Sequence, residues 1–120
     1  MMQPIFSIQS ELFAVFQASD GSLHWSEYEG KKVSGAFPFD DGARCIILLD
    51  SEASNEPRFE NLFCVDHDGK RIWTAQLPDT HDRFIDAHME PNGLHAWSWS
   101  CYWTVFDPVD GHIISREFGK

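Results

Sequence analysis

The chain is poor in basic residues. Nine Lys and Arg stand against nineteen Asp and Glu, for a net charge of -10. That shortage excludes a groove that tracks phosphates, and with it direct binding to nucleic acid or to an anionic membrane. Residues 1–60 carry ten acids and four bases, and residues 61–120 carry nine and five. The excess is therefore spread along the chain and not gathered in a tail. Cysteine is scarce as well. Cys45, Cys64 and Cys101 form no CxxC pair, and an odd count argues against a disulfide framework. Cys45 and Cys64 lie inside apolar runs, RCIILL and LFCV, where a free thiol reads as a small core residue. No apolar run approaches the roughly 20 residues of a membrane-spanning helix. The opening MMQPIFSIQSELF lacks a basic start and a long apolar stretch, so no signal peptide and a cytoplasmic location are expected. Helical periodicity over about ten residues is missing too. So are the GxSxG elbow, the Gly-rich phosphate loop and HExxH. No Cys sits in a cationic setting. The expectation is a protein that is not an enzyme, with no catalytic residue, no cofactor and no metal.

What is abundant is aromatic residues and turns. Ten Phe and five Trp favour the pleated, half-buried surface of strands. A chain of 120 residues is long enough for one modest core, so a single domain over 1–120 is expected. The apolar runs are short and punctuated by turn signals: Asp20-Gly21, Glu29-Gly30, Asp41-Gly42, Asp68-Gly69, Pro91-Asn92-Gly93 and Asp110-Gly111. Strand-like segments run over Pro4–Gln9, Leu12–Gln17, Ser22–Glu27, Val33–Phe37, Arg44–Asp50, Asn61–Asp66, Arg71–Gln76, Phe84–Met89, Leu94–Ser100, Tyr102–Asp107 and His112–Phe118. Pro38 is expected to stop the fourth. Arg44–Asp50 is almost continuously apolar, the pattern of a strand buried on both faces. Roughly ten or eleven strands and no helix predict an all-β fold of antiparallel hairpins and meander.

One unit recurs. LFAVFQASDGSLHWSE (Leu12–Glu27), NLFCVDHDGKRIWTAQ (Asn61–Gln76) and YWTVFDPVDGHIISRE (Tyr102–Glu117) each place Asp-Gly between two β-prone runs. Trp25 and Trp73 both stand four residues after the Gly, where the third copy has Ser115. Val65-Asp66-His67-Asp68-Gly69-Lys70-Arg71-Ile72-Trp73 resembles the pyrroloquinoline-quinone-like β-propeller repeat. The resemblance implies blades of four antiparallel strands, closed by this hairpin, with the Trp packed between blades. It lays out one blade over Val33–Gln76, another over Phe84–Phe118, and an incomplete third before them: two to three propeller-blade-like sheets. Gln17 stands where copy one should have Asp, and Ser115 where copy three should have Trp. Two and a half blades cannot close a ring, which typically takes about 4–8, so no quinone site is expected. The open faces must be hidden by a compact two-sheet sandwich, by a second copy in a homodimer, or by a partner.

Candidate sites are few. Asp66-His67-Asp68-Gly69 looks like a calcium loop, yet the twelfth position from Asp66 is Leu77 where such a loop needs Glu. Asp79, His81, Asp82, Asp86, His88 and Glu90 have metal-ligand chemistry, and Asp86, His88 and Glu90 share one strand face. The group is read as a solvated polar face. The run Asp50–Glu60 is the one long loop, with Asp50, Glu52, Glu56 and Glu60 against Arg58 alone, and inserted loops of this kind serve as interaction surfaces. Trp97 and Trp99, on one strand face, head an aromatic patch with Tyr102 and Trp103. Such a patch packs a core or anchors a ligand. Asp50, Glu52, Glu56, Glu60, Trp97 and Trp99 are therefore the expected partner-binding residues, and the expected partner is a basic protein. An immunity-type inhibitor of a basic toxin is the concrete version. A small-molecule module with an aromatic pocket and a self-associating structural protein are the alternatives.

Overall fold

The computed structural model describes residues 3–6, 15–17, 23–25, 27–40, 43–66 and 69–119. Every regular element among them is a strand, and all pairings are antiparallel. The fold is all-β. β1 (Gln3–Phe6), β2 (Val15–Gln17) and β3 (Leu23–Trp25) form a three-stranded sheet. The first Asp20-Gly21 turn and the Asp41-Gly42 turn lie outside the described residues. β4 (Glu27–Tyr28), β5 (Lys31–Phe39), β6 (Arg44–Leu49), β7 (Leu62–Asp66) and β8 (Arg71–Thr74) follow in sheet order. β9 (Phe84–Glu90), β10 (Gly93–Ser98), β11 (Tyr102–Phe106) and β12 (Ile113–Phe118) make the last sheet, again in chain order. In the last sheet, order in the sheet equals order in the chain because its strands are joined by turns and short loops, which permit only antiparallel neighbours.

β5 runs on through Pro38 to Phe39, where the sequence predicts a stop at Pro38. Pro38 pairs with Cys45 of β6, while β4 reaches only Lys31 and Lys32. The missing N–H of Pro38 therefore falls on an open edge, where proline is tolerated.

β6 and β7 are buried on both faces, as the apolar run over Arg44–Asp50 predicts. Cys45, Ile47, Leu49, Phe63 and Val65 pack with Tyr28, Val33 and Phe59 on one side. Ile46, Leu48, Leu62 and Cys64 pack on the other against Phe84, Leu94, Ala96 and Phe106 of the last sheet. The period-2 alternation of β10 turns Leu94, Ala96 and Ser98 into this core.

Three side chains lock the fold, two of them between sheets. Asn61 is fully buried; its amide donates to the carbonyls of Leu49 (3.0 Å) and Phe84 (2.7 Å), and its oxygen accepts the Phe84 N–H at 2.8 Å. From its place just before β7, Asn61 thus bridges the end of β6 to the start of β9. Trp73 of β8 donates its indole N–H to Pro108 O at 3.0 Å, in the turn before β12, and stacks on Phe106. Tyr28 of β4 donates likewise to Gly69 O at 2.7 Å, in the turn before β8. The Trp73 bond joins one unit's closing strand to the turn of the next, while the Tyr28 bond stays within the middle sheet, from β4 to the turn before β8. Gly69 and Gly111 both have positive φ, 80° and 78°, the conformation those turns require.

Candidate functional site

Between β6 and β7 the loop 51–60 folds back over the start of β9, and Arg83 holds it there. The Arg83 guanidinium donates to the carbonyls of Ser51, Ser54 (2.7 Å) and Glu56, and lies 5.6 Å from the Phe59 ring centre. Asp82 anchors the adjoining turn. Its carboxylate is buried and accepts from the N–H groups of Arg83 (2.9 Å) and Ser100 (3.0 Å) and from the Ser100 hydroxyl at 2.5 Å. A buried carboxylate persists only with such donors.

Beside this framework opens a cleft of about 420 Å³, lined by Ser51, Glu52, Pro57, His81, Asp82, Arg83, Ile85 and Trp99. Trp99 is 68% exposed on its rim. Its backbone N–H donates to Arg83 O at 2.8 Å, so the exposed ring stands on a fixed main chain. The cleft offers an aromatic face, an apolar floor from Pro57 and Ile85, and the free carboxylate of Glu52.

The sequence-predicted residues do not form one site. Glu52 and Trp99 meet at this cleft. Glu56 and Glu60 line a second hollow of about 280 Å³ with Arg58 and Arg71, on the other side of the loop. Asp50 is structural: its carboxylate accepts the Glu52 N–H at 2.9 Å and pairs with Lys32 at 3.8 Å. Trp97 leaves Trp99 altogether. β10 bulges between Trp97 and Ser98 and ends there, so the shared strand face expected for Trp97 and Trp99 is broken. Trp97 packs with Trp103 instead, at 5.9 Å, on the outer face of the last sheet. Sequence reasoning missed Arg83 and placed Asp82 in a solvated polar face; both shape the cleft, and no local signal marks them because their partners are distant in the chain.

That outer face also carries His88, Glu90 and His95, whose ligand atoms lie within 4.8 Å of one another. Asp86, expected to join His88 and Glu90, instead accepts the Ala87 N–H at 2.9 Å. A second group, Asp107, Asp110 and His112, belongs to the last turn. Asp107 accepts from Val109 N, and Asp110 from the backbone and ring N–H of His112. The His112 backbone bond, then its ring bond, holds the Asp110 carboxyl below the usual carboxylate range.

Burial governs the thiols. It pushes Cys64 up to about 11 and Cys45 further, so neither is a nucleophile near neutrality. No helix among the described residues is long and apolar enough to cross a membrane.

No curated protein matches the sequence. A solved structure, the computationally designed Ika8 protein, is similar at a TM-score of 0.54 and 11% identity, over 98% of this chain and 37% of that one. The chain thus spans little more than a third of that structure, and the likeness is one of fold. A family model described as a domain of unknown function (DUF7957) matches residues 31–118, from the first residue of β5 to the last of β12, and the chain belongs to that family.

Proposed function

We propose that the chain is a non-enzymatic, cytoplasmic protein-binding module that takes a basic partner at the cleft beside Trp99. The observation that carries this reading is the exposed Trp99 ring, fixed through its backbone beside Glu52. An aromatic face next to a carboxylate suits a Lys or Arg side chain, whose stem packs on the ring while its head pairs with the acid. The net charge of -10 steers such a partner in. An immunity-type inhibitor of a basic toxin is the concrete version. The antiparallel meanders β5–β8, within the five-stranded sheet, and β9–β12, with Trp73 bonded from one to the other, support the propeller-blade reading of the repeat. The open edge of β12, with Ile114 and Phe118 exposed, gives a homodimer a surface to form on.

The test is co-elution with the product of the adjacent gene at low and high salt, with Trp99→Ala and Glu52→Gln alongside. Binding that weakens with salt and with both substitutions supports the reading; binding indifferent to all three removes it. A second reading rests on the cleft's volume, which falls within the roughly 300–1,000 Å³ of small-molecule sites. Quenching of Trp99 emission by a member of a ligand library favours it.

A further inference from the structure

The hairpin of β9 and β10 turns at Pro91 and Asn92, pairing Glu90 with Gly93 and His88 with His95. Side chains two apart on a strand share a face, and directly paired residues do too. The register therefore puts two imidazoles and one carboxylate together on the outer face. The rings of His88 and His95 stack 5.3 Å apart at 18°. His88 Nε2 lies 2.6 Å from Glu90 Oε2, and His95 Nδ1 lies 3.6 Å from the same oxygen.

The far nitrogen of His95 is already committed. Nε2–H donates to Asn92 Oδ1 at 2.7 Å, which leaves Nδ1 as the unprotonated nitrogen. Trp103 confirms that tautomer from the side, donating its indole N–H to Nδ1 at 3.2 Å. Nδ1 is thus an unprotonated nitrogen 3.6 Å from Glu90 Oε2, open to an ion that displaces the indole N–H. A carbonyl-type oxygen on the far nitrogen is also the support that metal-ligating histidines use to fix tautomer and ring orientation. His95 is held in place for this: its side chain is 12% exposed, while His88 and Glu90, at 47% and 44%, are free to adjust.

We propose that His88 Nε2, Glu90 Oε2 and His95 Nδ1 bind a divalent transition metal of the zinc class, with water at the fourth position. Two imidazoles and one carboxylate are a nitrogen-rich donor set that suits zinc. Calcium and magnesium call for oxygen ligands throughout. On binding, His88 moves its ring proton from Nε2 to Nδ1 and gives up its hydrogen bond to Glu90, and the Trp103 indole N–H gives up His95 Nδ1 to the ion, which makes Trp103 a reporter. The site uses no residue of the Trp99 cleft and stands apart from the binding proposed there.

The experiment is calorimetric titration of the full chain, stripped with a chelator, with Zn²⁺ alone, followed in parallel by tryptophan emission. The expected result is one ion per chain and an emission change complete at one equivalent. Affinity should fall by about tenfold or more in His95→Gln and Glu90→Gln and stay at the parental value in His112→Gln, which alters the other cluster. Melting without metal keeps the variants comparable: Glu90→Gln should match the parent there, and Zn²⁺ should raise the melting temperature of the parent and of His112→Gln but not of His95→Gln or Glu90→Gln. His88→Gln serves as a second exposed-ligand variant. Failure of the parent to take up Zn²⁺ saturably overturns the proposal. So does uptake unchanged in His88→Gln and His95→Gln, or uptake lost only in His112→Gln.

Discussion

The ring of Trp73 fills the space that any side chain on Gly111 would need: a β-carbon built there lies 2.4 Å from Trp73 Cε3 and 2.5 Å from Cδ2. The two residues come from successive copies of the repeat, the closing Trp of one and the turn Gly of the next. Gly111→Ala should therefore destabilise twice over, through its φ of 78° and through the clash. A loss of about 3 kcal/mol is expected. Gly30 supplies the control, with φ 77° and nothing within 4 Å of its absent side chain. Gly30→Ala should cost about 1 kcal/mol. Denaturant unfolding of both variants measures the difference; equal losses would remove the interlock.

Asn61 should be the costliest polar substitution in the core. Asn61→Ala strands the Phe84 N–H and takes a donor from two buried carbonyls. Unpaired buried groups cost about 1–3 kcal/mol each, so a total of about 3 kcal/mol is expected after partial relaxation. Asn61→Asp should fare no better, since a carboxylate cannot donate to Leu49 O and Phe84 O. Thermal melting of the two variants checks this.

Arg83→Lys should loosen the loop 51–60 without unfolding the domain. A lysine ammonium cannot span the carbonyls of Ser51, Ser54 and Glu56 as the planar guanidinium does. Amide exchange in residues 51–56 should rise while that of β6 and β7 is unchanged, as hydrogen-exchange mass spectrometry would read.

The thiols predict an alkaline limit. Burial first of all raises Cys64 from an ordinary 9.0 to about 11, moves Cys45 the same way, and raises the Tyr28 hydroxyl too. In each case the folded chain keeps a proton that the unfolded chain gives up sooner. Their contribution to stability is whole below pH 9 and is lost as pH rises from about 9 through 11. The melting temperature should fall over that window, and less steeply in Cys64→Ala. In the native chain at neutral pH, a thiol reagent should label Cys101, which is half-exposed, well before Cys45 and Cys64, which are buried.

Much of the architecture was legible because alternation and turn chemistry are local. Asp-Gly marked the hairpins, and the apolar run of β6 announced a strand covered on both sides. What escaped was set by register and by partners distant in the chain. His88 was read with Asp86 and Glu90, its neighbours on one strand, yet His95 meets it only because the two-residue turn fixes a pairing across the ladder. Trp99 was grouped with Trp97 by period, and a single bulge after Trp97 sent it to the cleft. Asp82 read as part of a solvated polar face and Arg83 went unmarked because their partners, Ser100 and the loop carbonyls, lie far off in sequence. Pro38 read as a breaker because nothing local says which side of a strand lacks a neighbour.

The double-sided burial of β6 and β7 bears on how the chain can come apart. Were residues 84–118 released, Ile46, Leu48, Leu62 and Cys64 would face water together. No intermediate that keeps the middle sheet and sheds the last one avoids that exposure. Cutting the linker between β8 and β9 should then yield fragments that stay associated or aggregate, not two independent pieces. Unfolding of 31–118 is expected as a single step, with the middle sheet as the member no neighbour can leave behind.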